Sequence, residues 1–502
     1  MLAIDLLCSR HWQTGKADVE SGIVEIETPS GKLGGRGQNG VETFRGIPYA
    51  APPIGSHRFK PPRPALQWTG VRDAIESGPV CPQTPSRLRF AMGDFAARQD
   101  EDCLHVTVWT PKADNGRRPV LVWLHGGAYM SGGGAIDWYS GEALAREGGL
   151  VVVGVNYRVG VLGFLYRPSW SPGNLGLLDQ QAALEWVRDN IAAFGGDPGN
   201  VTLWGQSAGA QTVTFLLARP QTRGLFRRVI LQSPPFGSLP REQDAGAANA
   251  EILAREIGLD LSASPERKLS EVPLQALFAA QSAVGARVAK DVQRGGLPSP
   301  PFWPVGDGVI VPTLENYAAA MTDAAQHLDV MIGTTREEMD VFFASNPAVQ
   351  GLENAPIAAS EVKRLKARRP AASAMQLFSD YCSEQIFLNG SIEWAVNAAD
   401  SGRRVYLYQF DWPSPDRRLK SCHCLDLPFV FGTRAAFADA PMLKDADRDE
   451  IDALSAAMRA SWIAFARNGD PNHATLPHWP RFDARRRAAM HFDNVCAAVG
   501  DV

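Results

Sequence analysis

Residues 201–219 read VTLWGQSAGAQTVTFLLAR, and the interpretation of the rest of the chain depends on this stretch. Its first four residues are apolar or β-branched, which predicts a short buried strand. Gly205-Gln206-Ser207-Ala208-Gly209 follows, and the residues from Ala208 onward favour a helix. A strand, the pattern G-x-S-x-G and a helix in this order are typical of a nucleophile elbow. The serine oxygen would then lie at a helix N-terminus, where amide groups favour negative charge.

Apolar runs on both sides of the elbow predict a mostly parallel sheet. Residues 120–124 (VLVWL) and 150–157 (LVVVGVNY) are continuous apolar runs, as is typical of strands covered on both faces. Residues 177–194 carry apolar side chains at three- and four-residue spacing, which predicts an amphipathic helix. Further strands are predicted at 228–234, 329–335, 405–411 and 488–492, the last of the sheet. This alternation predicts an α/β fold with a twisted central sheet and helices on both faces.

Two segments outside the strands predict mainly helices. They cover about 241–320, which is rich in Ala, Glu and Gln, and about 355–400. We expect them to lie over the strand ends as cap or lid insertions in a single domain that spans residues 1–502. Near the other end of the chain, residues 22–60 predict hairpin strands, with Asn39-Gly40 as a turn.

Composition and charge exclude several classes of function. The chain has 502 residues, and 50 Lys+Arg against 54 Asp+Glu give a net charge of -4 without a long run of one sign. Nucleic acid is therefore not an expected partner. No window has the 18 or more apolar residues typical of a membrane span. The first 16 residues contain Asp5 within a short apolar patch and no basic region before it, so we expect no secretory signal and a cytoplasmic location.

A nucleophilic serine needs a base that takes its proton and an acid that orients the base. In α/β-hydrolases the three follow one another as Ser, then Asp or Glu, then His. The predicted strand at 329–335 is followed by Glu337 and Glu338, and the C-terminal ends of such strands are where ligand sites gather. The residues alone leave both glutamates open.

Nine histidines compete for the role of the base. Polar or proline-rich surroundings, strand positions or a glycine-rich turn account better for eight of them: His11, His57, His105, His125, His327, His473, His478 and His491. His423, in SCHCLDLPFVFG, is the remaining loop histidine in the required chain order. Elimination therefore favours His423, with a solvent-exposed loop histidine as the alternative.

An oxyanion hole requires backbone N–H groups directed at the developing negative oxygen. The sequence HGGAY at 125–129 follows the predicted strand at 120–124, and its glycines allow the main chain to approach a substrate. The amide of Ala208, directly after the serine, would add a donor. The alternative is an ordinary glycine turn between a strand and a loop.

Taken together, these motifs resemble the type-B carboxylesterases, the family of the cholinesterases and of bacterial para-nitrobenzyl esterases. The resemblance runs from about residue 22 to residue 479 and includes DPNH at 470–473. Its longer motifs are FRGIPYAAPPIGSHRF (44–59), EDCLHVTVWTP (101–111), VNYRVGVLGFL (155–165) and the run at 174–209 that contains the elbow. Because so many motifs occur in the same order, chance agreement is excluded.

The resemblance implies an α/β-hydrolase fold and a serine carboxylic-ester hydrolase with no cofactor and no metal. Its substrates would be small to medium apolar or aromatic esters, cleaved through an acyl-enzyme. The family's catalytic positions fall on Ser207, Glu338 and His423, and its oxyanion donors fall on the amides of Gly127, Ala128 and Ala208. Hydrolysis of carbamates, amides or lactones is an alternative with the same triad. A non-catalytic binding protein is a further alternative, since some relatives have lost the nucleophile.

Other matches to the family concern the scaffold. The resemblance implies two salt bridges, Arg58–Glu101 and Arg158–Asp179. It also gives Ser233 a supporting role behind the histidine. Cys81 and Cys103 match a family disulfide, with free thiols as an equal alternative in a reducing compartment.

The sequence departs from the family pattern at the elbow and beside the base. Gln206 stands where the family usually has glutamate, which predicts weaker support of the imidazolium and less attraction for cationic substrates. The loop between Cys81 and Cys103 has no tryptophan for cation–π binding, so acetylcholine is not an expected substrate. Cys422 and Cys424 flank His423; without a second ligand cluster they indicate oxidation-sensitive loop cysteines rather than a metal site.

Overall fold

The computed structural model describes residues 22–259, 269–292, 300–344 and 357–500, with the side chains of 289–292 left out. The N-terminal segment that was read for a signal, His11, and residues 260–268, 293–299, 355 and 356 of the two helical segments lie outside the described residues. The strands are β1 (Gly22–Thr28), β2 (Gly31–Gln38), β3 (Val41–Pro48), β4 (Val71–Asp73), β5 (His105–Thr110), β6 (Arg118–Leu124), β7 (Val151–Val155), β8 (Tyr166–Arg167), β9 (Ser171–Pro172), β10 (Gly196–Gln206), β11 (Arg228–Gln232), β12 (Asp329–Thr335), β13 (Val405–Phe410), β14 (Ala489–Phe492) and β15 (Ala497–Val499).

The helices connect these strands and include most of the described residues in the two predicted helical segments. They are α1 (Arg89–Met92), α2 (Glu142–Gly148), α3 (Gly160–Phe164), α4 (Leu175–Asn190), α5 (Ala208–Leu217), α6 (Gln243–Glu256), α7 (Leu274–Val292), α8 (Leu314–Ala325), α9 (Asp340–Phe343), α10 (Ala359–Arg368), α11 (Ala374–Ser383), α12 (Asn389–Asp400), α13 (Leu427–Phe431) and α14 (Arg448–Asn468). The predicted helix at 177–194 is α4 followed by a 3₁₀ turn at Ile191–Phe194.

Among the described residues, one 13-stranded sheet runs through the molecule in the order β1-β2-β3-β5-β7-β6-β10-β11-β12-β13-β14-β15, with β4 paired to β2. From β7 to β14 in this order, every neighbouring pair is parallel. The strand β7 is buried along its whole length, as its continuous apolar sequence predicted, and β11 is buried along its whole length as well. The predicted α/β class with a mostly parallel sheet is confirmed.

The sheet ends differently from the prediction. We expected residues 488–492 to be its last strand, but β15 pairs antiparallel with β14 at the edge. All three residues of β15 are exposed. A short Ala-Ala-Val run without a buried face carries no periodic signal, which is why the sequence did not indicate it.

Two ion pairs that the resemblance implied join the loops beside the sheet, one buried and one partly buried. Arg158 binds Asp179 in a two-pronged contact of 2.7 and 2.8 Å, and both side chains are almost completely buried. Arg58 binds Glu101 through Nε at 2.6 Å. Separating the two partners of a buried pair leaves a buried charge without a partner, which costs free energy. Such a pair therefore keeps the loops that contain it in a fixed relative orientation.

This burial predicts a large cost for Arg158→Met. The change leaves the Asp179 carboxylate uncompensated and should lower the free energy of unfolding by about 3–5 kcal/mol, measured by urea denaturation. Arg188→Met is the matched control, because Arg188 and its partner Asp189 are each 54% exposed. The control should cost less than about 1 kcal/mol. Equal losses in the two variants would contradict the structural role of the buried pair.

Candidate active site

The nucleophile elbow joins β10 to α5 through a backbone conformation that is unusual for serine. Ser207 has φ 56° and ψ −124°, and its amide donates a 2.8 Å hydrogen bond to the carbonyl of Gln232. Positive φ costs a non-glycine residue about 1–3 kcal/mol, so the surroundings must hold it in place. A Cβ at Gly209 would lie 2.1 Å from the carbonyl oxygen of Leu124. The second glycine of the motif therefore lets α5 pack directly against the end of β6.

The acid and the base meet because two loops pair beyond the sheet. After β12 and β13, an isolated parallel bridge joins Glu337 to Cys422, and the Glu337 amide donates a 3.0 Å hydrogen bond to the carbonyl of Ser421. The next residue in each loop is Glu338 and His423. The bridge thus brings the acid and the base side by side.

Glu338 is the glutamate that contacts the histidine. The Nδ1–H of His423 donates to Glu338 Oε2 over 2.5 Å, and the amide of Thr335 donates to Glu338 Oε1 over 2.8 Å. Glu337 turns away and accepts a 3.3 Å hydrogen bond from the amide of Ser421. Both Glu338 and His423 are buried, with exposed fractions of 1% and 2%. The geometry therefore favours Glu338 over the other glutamate that the residues alone had left open.

The environment of His423 acts on its pKa in two directions. Burial lowers the pKa of His423, while the neighbouring Cys424 and Glu338 raise it, and the net direction is well above its usual value. Because Nδ1 faces the carboxylate, the neutral imidazole carries its proton on Nδ1 and leaves the lone pair of Nε2 free to accept one. This is the orientation that the predicted role of His423 as a base requires.

Gln206 fills the space beside this base. Its side-chain amide donates to His423 Nε2 at 3.1 Å and to the Cys424 sulfur at 3.3 Å. Its carbonyl oxygen packs against Gly126, where a Cβ would lie only 2.5 Å away. The residue that departs from the family pattern therefore connects the histidine loop to the glycine loop.

Two of the predicted oxyanion donors belong to the glycine loop that lines the same cavity as Ser207, and the third follows Ser207 directly in the chain. Gly127 and Ala128 have φ of 109° and 55°, and the amide of Met130 donates a 2.9 Å hydrogen bond to the carbonyl of Gly127 to close the turn. Within the described residues, the amides of Gly127, Ala128 and Ala208 donate no hydrogen bond to the protein. All three amides therefore have an N–H without a partner among the described residues, as the predicted oxyanion role requires.

His125 supports this loop and has no contact with the serine's base. It is fully buried, stacks on Tyr157 with ring centroids 4.1 Å apart, and hydrogen-bonds through Nδ1 to the carbonyl of Gly126 at 2.7 Å. Burial lowers the pKa of His125 to about 4. A neutral imidazole in the turn agrees with the interpretation of His125 as part of the glycine loop.

One cavity connects these groups to the surface. Its wall includes Ser207, His423 and Gln206, the loop residues Gly126, Gly127 and Ala128, and the aromatic side chains of Phe95, Trp138, Tyr139 and Phe342. The ring centroids of Phe342 and Phe387 lie 5.4 and 5.0 Å from that of His423. Substrate would reach the serine between aromatic walls.

The disulfide that the resemblance implied is not formed. Cys81 and Cys103 are both buried free thiols, and Cys81 accepts a 3.4 Å hydrogen bond from the amide of Val159. Contact with Cys81 and burial together raise the pKa of the Cys103 thiol well above its usual value. The alternative of two free cysteines therefore matches the structure.

Cys422 and Cys424 are likewise free thiols on either side of His423. Cys424 lines the cavity and contacts Gln206, whereas Cys422 is fully buried. The residues that the structure describes contain no group of three or more His, Cys, Asp or Glu side chains arranged to hold a metal ion.

The supporting role implied for Ser233 is not visible as a hydrogen bond. Its hydroxyl is buried and has no hydrogen-bond partner among the described residues. The neighbouring Gln232 makes the connection instead, because its amide donates a 2.6 Å hydrogen bond to Asp426, three residues after His423. The indole N–H of Trp204 donates in turn to the side-chain oxygen, Oε1, of Gln232.

Asp426 is the buried carboxyl that the sequence analysis missed. Burial raises the pKa of Asp426 to about 6, although the hydrogen bond from Gln232 opposes this shift. The sequence CLDLPFVF (424–431) could have indicated a buried, partnered Asp426, because this acidic residue lies inside an apolar run. An acidic residue is rarely buried without a specific partner.

No helix among residues 22–259, 269–292, 300–344 and 357–500 is long and apolar enough to cross a membrane. The cytoplasmic location stays a prediction.

Comparison with known proteins identifies the family. The family model described as "Carboxylesterase family" matches residues 21–369 and 357–498. A probable N-octanoylanthranilate hydrolase, AqdA2 of Rhodococcus erythropolis, is 39% identical, over 92% of this chain and 96% of its own. The para-nitrobenzyl esterase of Bacillus subtilis (strain 168) is 35% identical, over 95% of this chain and 96% of its own.

A solved structure agrees with these sequence relatives. The Geobacillus stearothermophilus carboxylesterase EST55 is 35% identical, with a TM-score of 0.81 over 95% of this chain and 98% of its own. The α/β-hydrolase fold and the resemblance drawn from the motifs are thereby confirmed. The chain belongs to the carboxylesterase family, and its activity is the hydrolysis of carboxylic esters.

Proposed function

We propose that this carboxylic-ester hydrolase acts on small to medium apolar or aromatic esters through an acyl-enzyme on Ser207. The observation that carries the proposal is the contact of 2.5 Å between His423 Nδ1 and Glu338, beside the cavity that Ser207 lines. Aromatic side chains around that cavity support the apolar substrate class. The helices of 241–320 and 355–400 would act as cap insertions of a single domain and select among such esters.

In the proposed reaction, His423 Nε2 takes the proton of Ser207 as its oxygen attacks the ester carbonyl. Glu338 holds the Nδ1–H and stabilises the imidazolium that forms. The amides of Gly127, Ala128 and Ala208 would bind the negative oxygen of the tetrahedral intermediate. His423 then protonates the departing alcohol, and water releases the acyl group with the same residues in reversed roles.

One rearrangement precedes the attack. Among the described residues, no hydrogen bond joins Ser207 to His423, and Nε2 instead accepts from Gln206. Catalytic hydrogen bonds are often long or poorly aligned in enzymes without substrate and tighten in the complex. We propose that a bound ester brings Ser207 into contact with Nε2 in place of the Gln206 amide.

Cleavage of N-acyl bonds is a second candidate, favoured by one comparison. The relative from Rhodococcus erythropolis is named for N-octanoylanthranilate, an N-acyl compound. The same triad could cleave an amide if His423 protonates the leaving nitrogen. The values of kcat/KM for a phenyl ester and the matching anilide separate the two activities, and a higher value for the anilide would favour amide hydrolysis.

Ser207→Ala tests the nucleophile. We expect kcat for para-nitrophenyl butyrate to fall at least roughly 10³-fold, since the acyl-enzyme can no longer form. Labelling by a fluorophosphonate probe should also disappear in Ser207→Ala. Labelling of the wild-type protein would exclude the alternative of a non-catalytic binding protein. Turnover near the wild-type level in Ser207→Ala would contradict the proposal.

Glu338→Gln tests the acid through activity and pH dependence. Because the carboxylate raises the pKa of His423, its loss should move the acid limb of the kcat/KM profile to lower pH and reduce the plateau roughly 10³-fold or more. Glu337→Gln is the matched control and should keep most of the activity, since Glu337 does not contact His423. A larger loss of activity in Glu337→Gln than in Glu338→Gln would show that Glu337, and not Glu338, orients the histidine.

Gln206→Glu tests the departure at the elbow. A carboxylate beside Nε2 would stabilise the imidazolium, so the acid limb of kcat/KM should move to higher pH. The ratio of kcat/KM for a trimethylammonium ester to that for its neutral tert-butyl analogue should also rise. Unchanged profiles and an unchanged ratio would mean that the neutral side chain at this position has no electrostatic consequence.

A further inference from the structure

Arg87 is the one permanently charged side chain among the described residues of the active-site cavity wall. It lies just before α1, in the loop between Cys81 and Cys103, and lines the same cavity as Ser207 and His423. The rest of that wall consists of apolar, aromatic, glycine, serine, cysteine and glutamine residues besides the histidine. No carboxylate shares the cavity wall with Arg87.

Arg87 also has no partner for its charge in the part of the chain that the structure describes. No hydrogen bond or ion pair joins it to another described residue, and its one specific contact is with an aromatic ring. The guanidinium carbon lies 5.9 Å from the centroid of Phe342. No group of the described residues therefore neutralises the guanidinium, which is available to a ligand that enters the cavity.

Arg87 is accessible to a ligand in the cavity, and its guanidinium is at the same time partly desolvated by the surrounding protein. The residue is exposed by area, because it borders the open cavity. The surrounding protein nevertheless desolvates the guanidinium, which lowers the pKa of Arg87. A partly desolvated cation without a counter-ion gains more from an incoming anion than a fully hydrated one does.

Phe342 connects this cation to the catalytic centre. Its ring contacts the guanidinium on one side and lies 5.4 Å, centroid to centroid, from the His423 ring on the other. A substrate whose ester lies over Ser207 could therefore place a group about one phenyl ring away next to Arg87. The neutral Gln206 adds no negative charge that would repel an anionic group there.

We infer that Arg87 is a specificity-determining residue that binds a carboxylate on the substrate, so that the enzyme prefers anionic aromatic esters over neutral ones of the same shape. The guanidinium would donate two parallel hydrogen bonds to the carboxylate, and Phe342 would pack against the aromatic ring. This inference rests on the proposed function of Ser207 and concerns which ester that site selects.

The experiment compares 4-acetoxybenzoate with 4-acetoxybenzamide, which is neutral and of the same shape. In the wild-type protein, kcat/KM should favour the carboxylate, and added NaCl should reduce this preference. Arg87→Gln should lower kcat/KM for the carboxylate about tenfold or more, mainly through KM, and leave the amide within about twofold. Arg87→Lys should restore part of the preference, because it restores the charge without the planar fork.

Arg89→Gln is the matched control, since Arg89 is an exposed arginine two residues away that does not line the cavity. It removes the same charge and should change neither substrate. Equal losses for the two substrates in Arg87→Gln would overturn the inference and make Arg87 a structural residue. An unaltered preference in Arg87→Gln would overturn it as well.

A binding measurement separates this inference from the proposed function. If the wild-type protein hydrolyses neither acetate, the proposed cleavage of aromatic esters at Ser207 fails on that result alone. Calorimetry with 4-hydroxybenzoate and 4-hydroxybenzamide then tests Arg87 without turnover. Binding of the carboxylate that is at least tenfold weaker in Arg87→Gln supports the anion site, and equal affinity of the two compounds for the wild-type protein contradicts it.

Discussion

The parallel pairing of β12 with β13 continues past the sheet to the bridge between Glu337 and Cys422, and the active site depends on this bridge. Adjacent residues of an extended chain point to opposite sides, so the paired residues face away and the next ones, Glu338 and His423, face each other. A slip of one residue in either loop would bring Glu337 or Cys422 to the site instead. The register of two backbones thus decides which carboxylate orients the base.

The serine reaches this pair through a second backbone constraint. The elbow holds Ser207 at positive φ, and the close packing of Gly209 against the carbonyl of Leu124 keeps α5 at the end of the sheet. The start of α5 and the glycine loop carry the amides that we propose as oxyanion donors. Because the donors belong to the main chain of packed elements, they need little rearrangement when charge develops on a substrate oxygen.

The distribution of charge around the site differs from what the family pattern would give. Glu338 lies behind the histidine, Gln206 in front of it is neutral, and Arg87 is a cation on the cavity wall without a carboxylate beside it. In a partly desolvated cavity these charges act more strongly on a substrate than the same charges would in water. The electrostatic character of the cavity therefore follows from a few side chains that do not take part in bond breaking.

The sequence by itself determined the class of the fold and the places of its main strands along the chain, and it singled out Ser207 and His423 as the candidate nucleophile and base. Residues 329–335 form β12 as predicted, because an apolar run buried on both faces leaves a local signal. Without the family resemblance, the choice between Glu337 and Glu338 stayed open, since it depends on a bridge to a loop 85 residues away. Only the tertiary structure decided this choice, the free state of Cys81 and Cys103, and the contacts of Gln206, Asp426 and Arg87. Each of these depends on which distant residues meet in the folded chain, and a local sequence pattern contains no information about that.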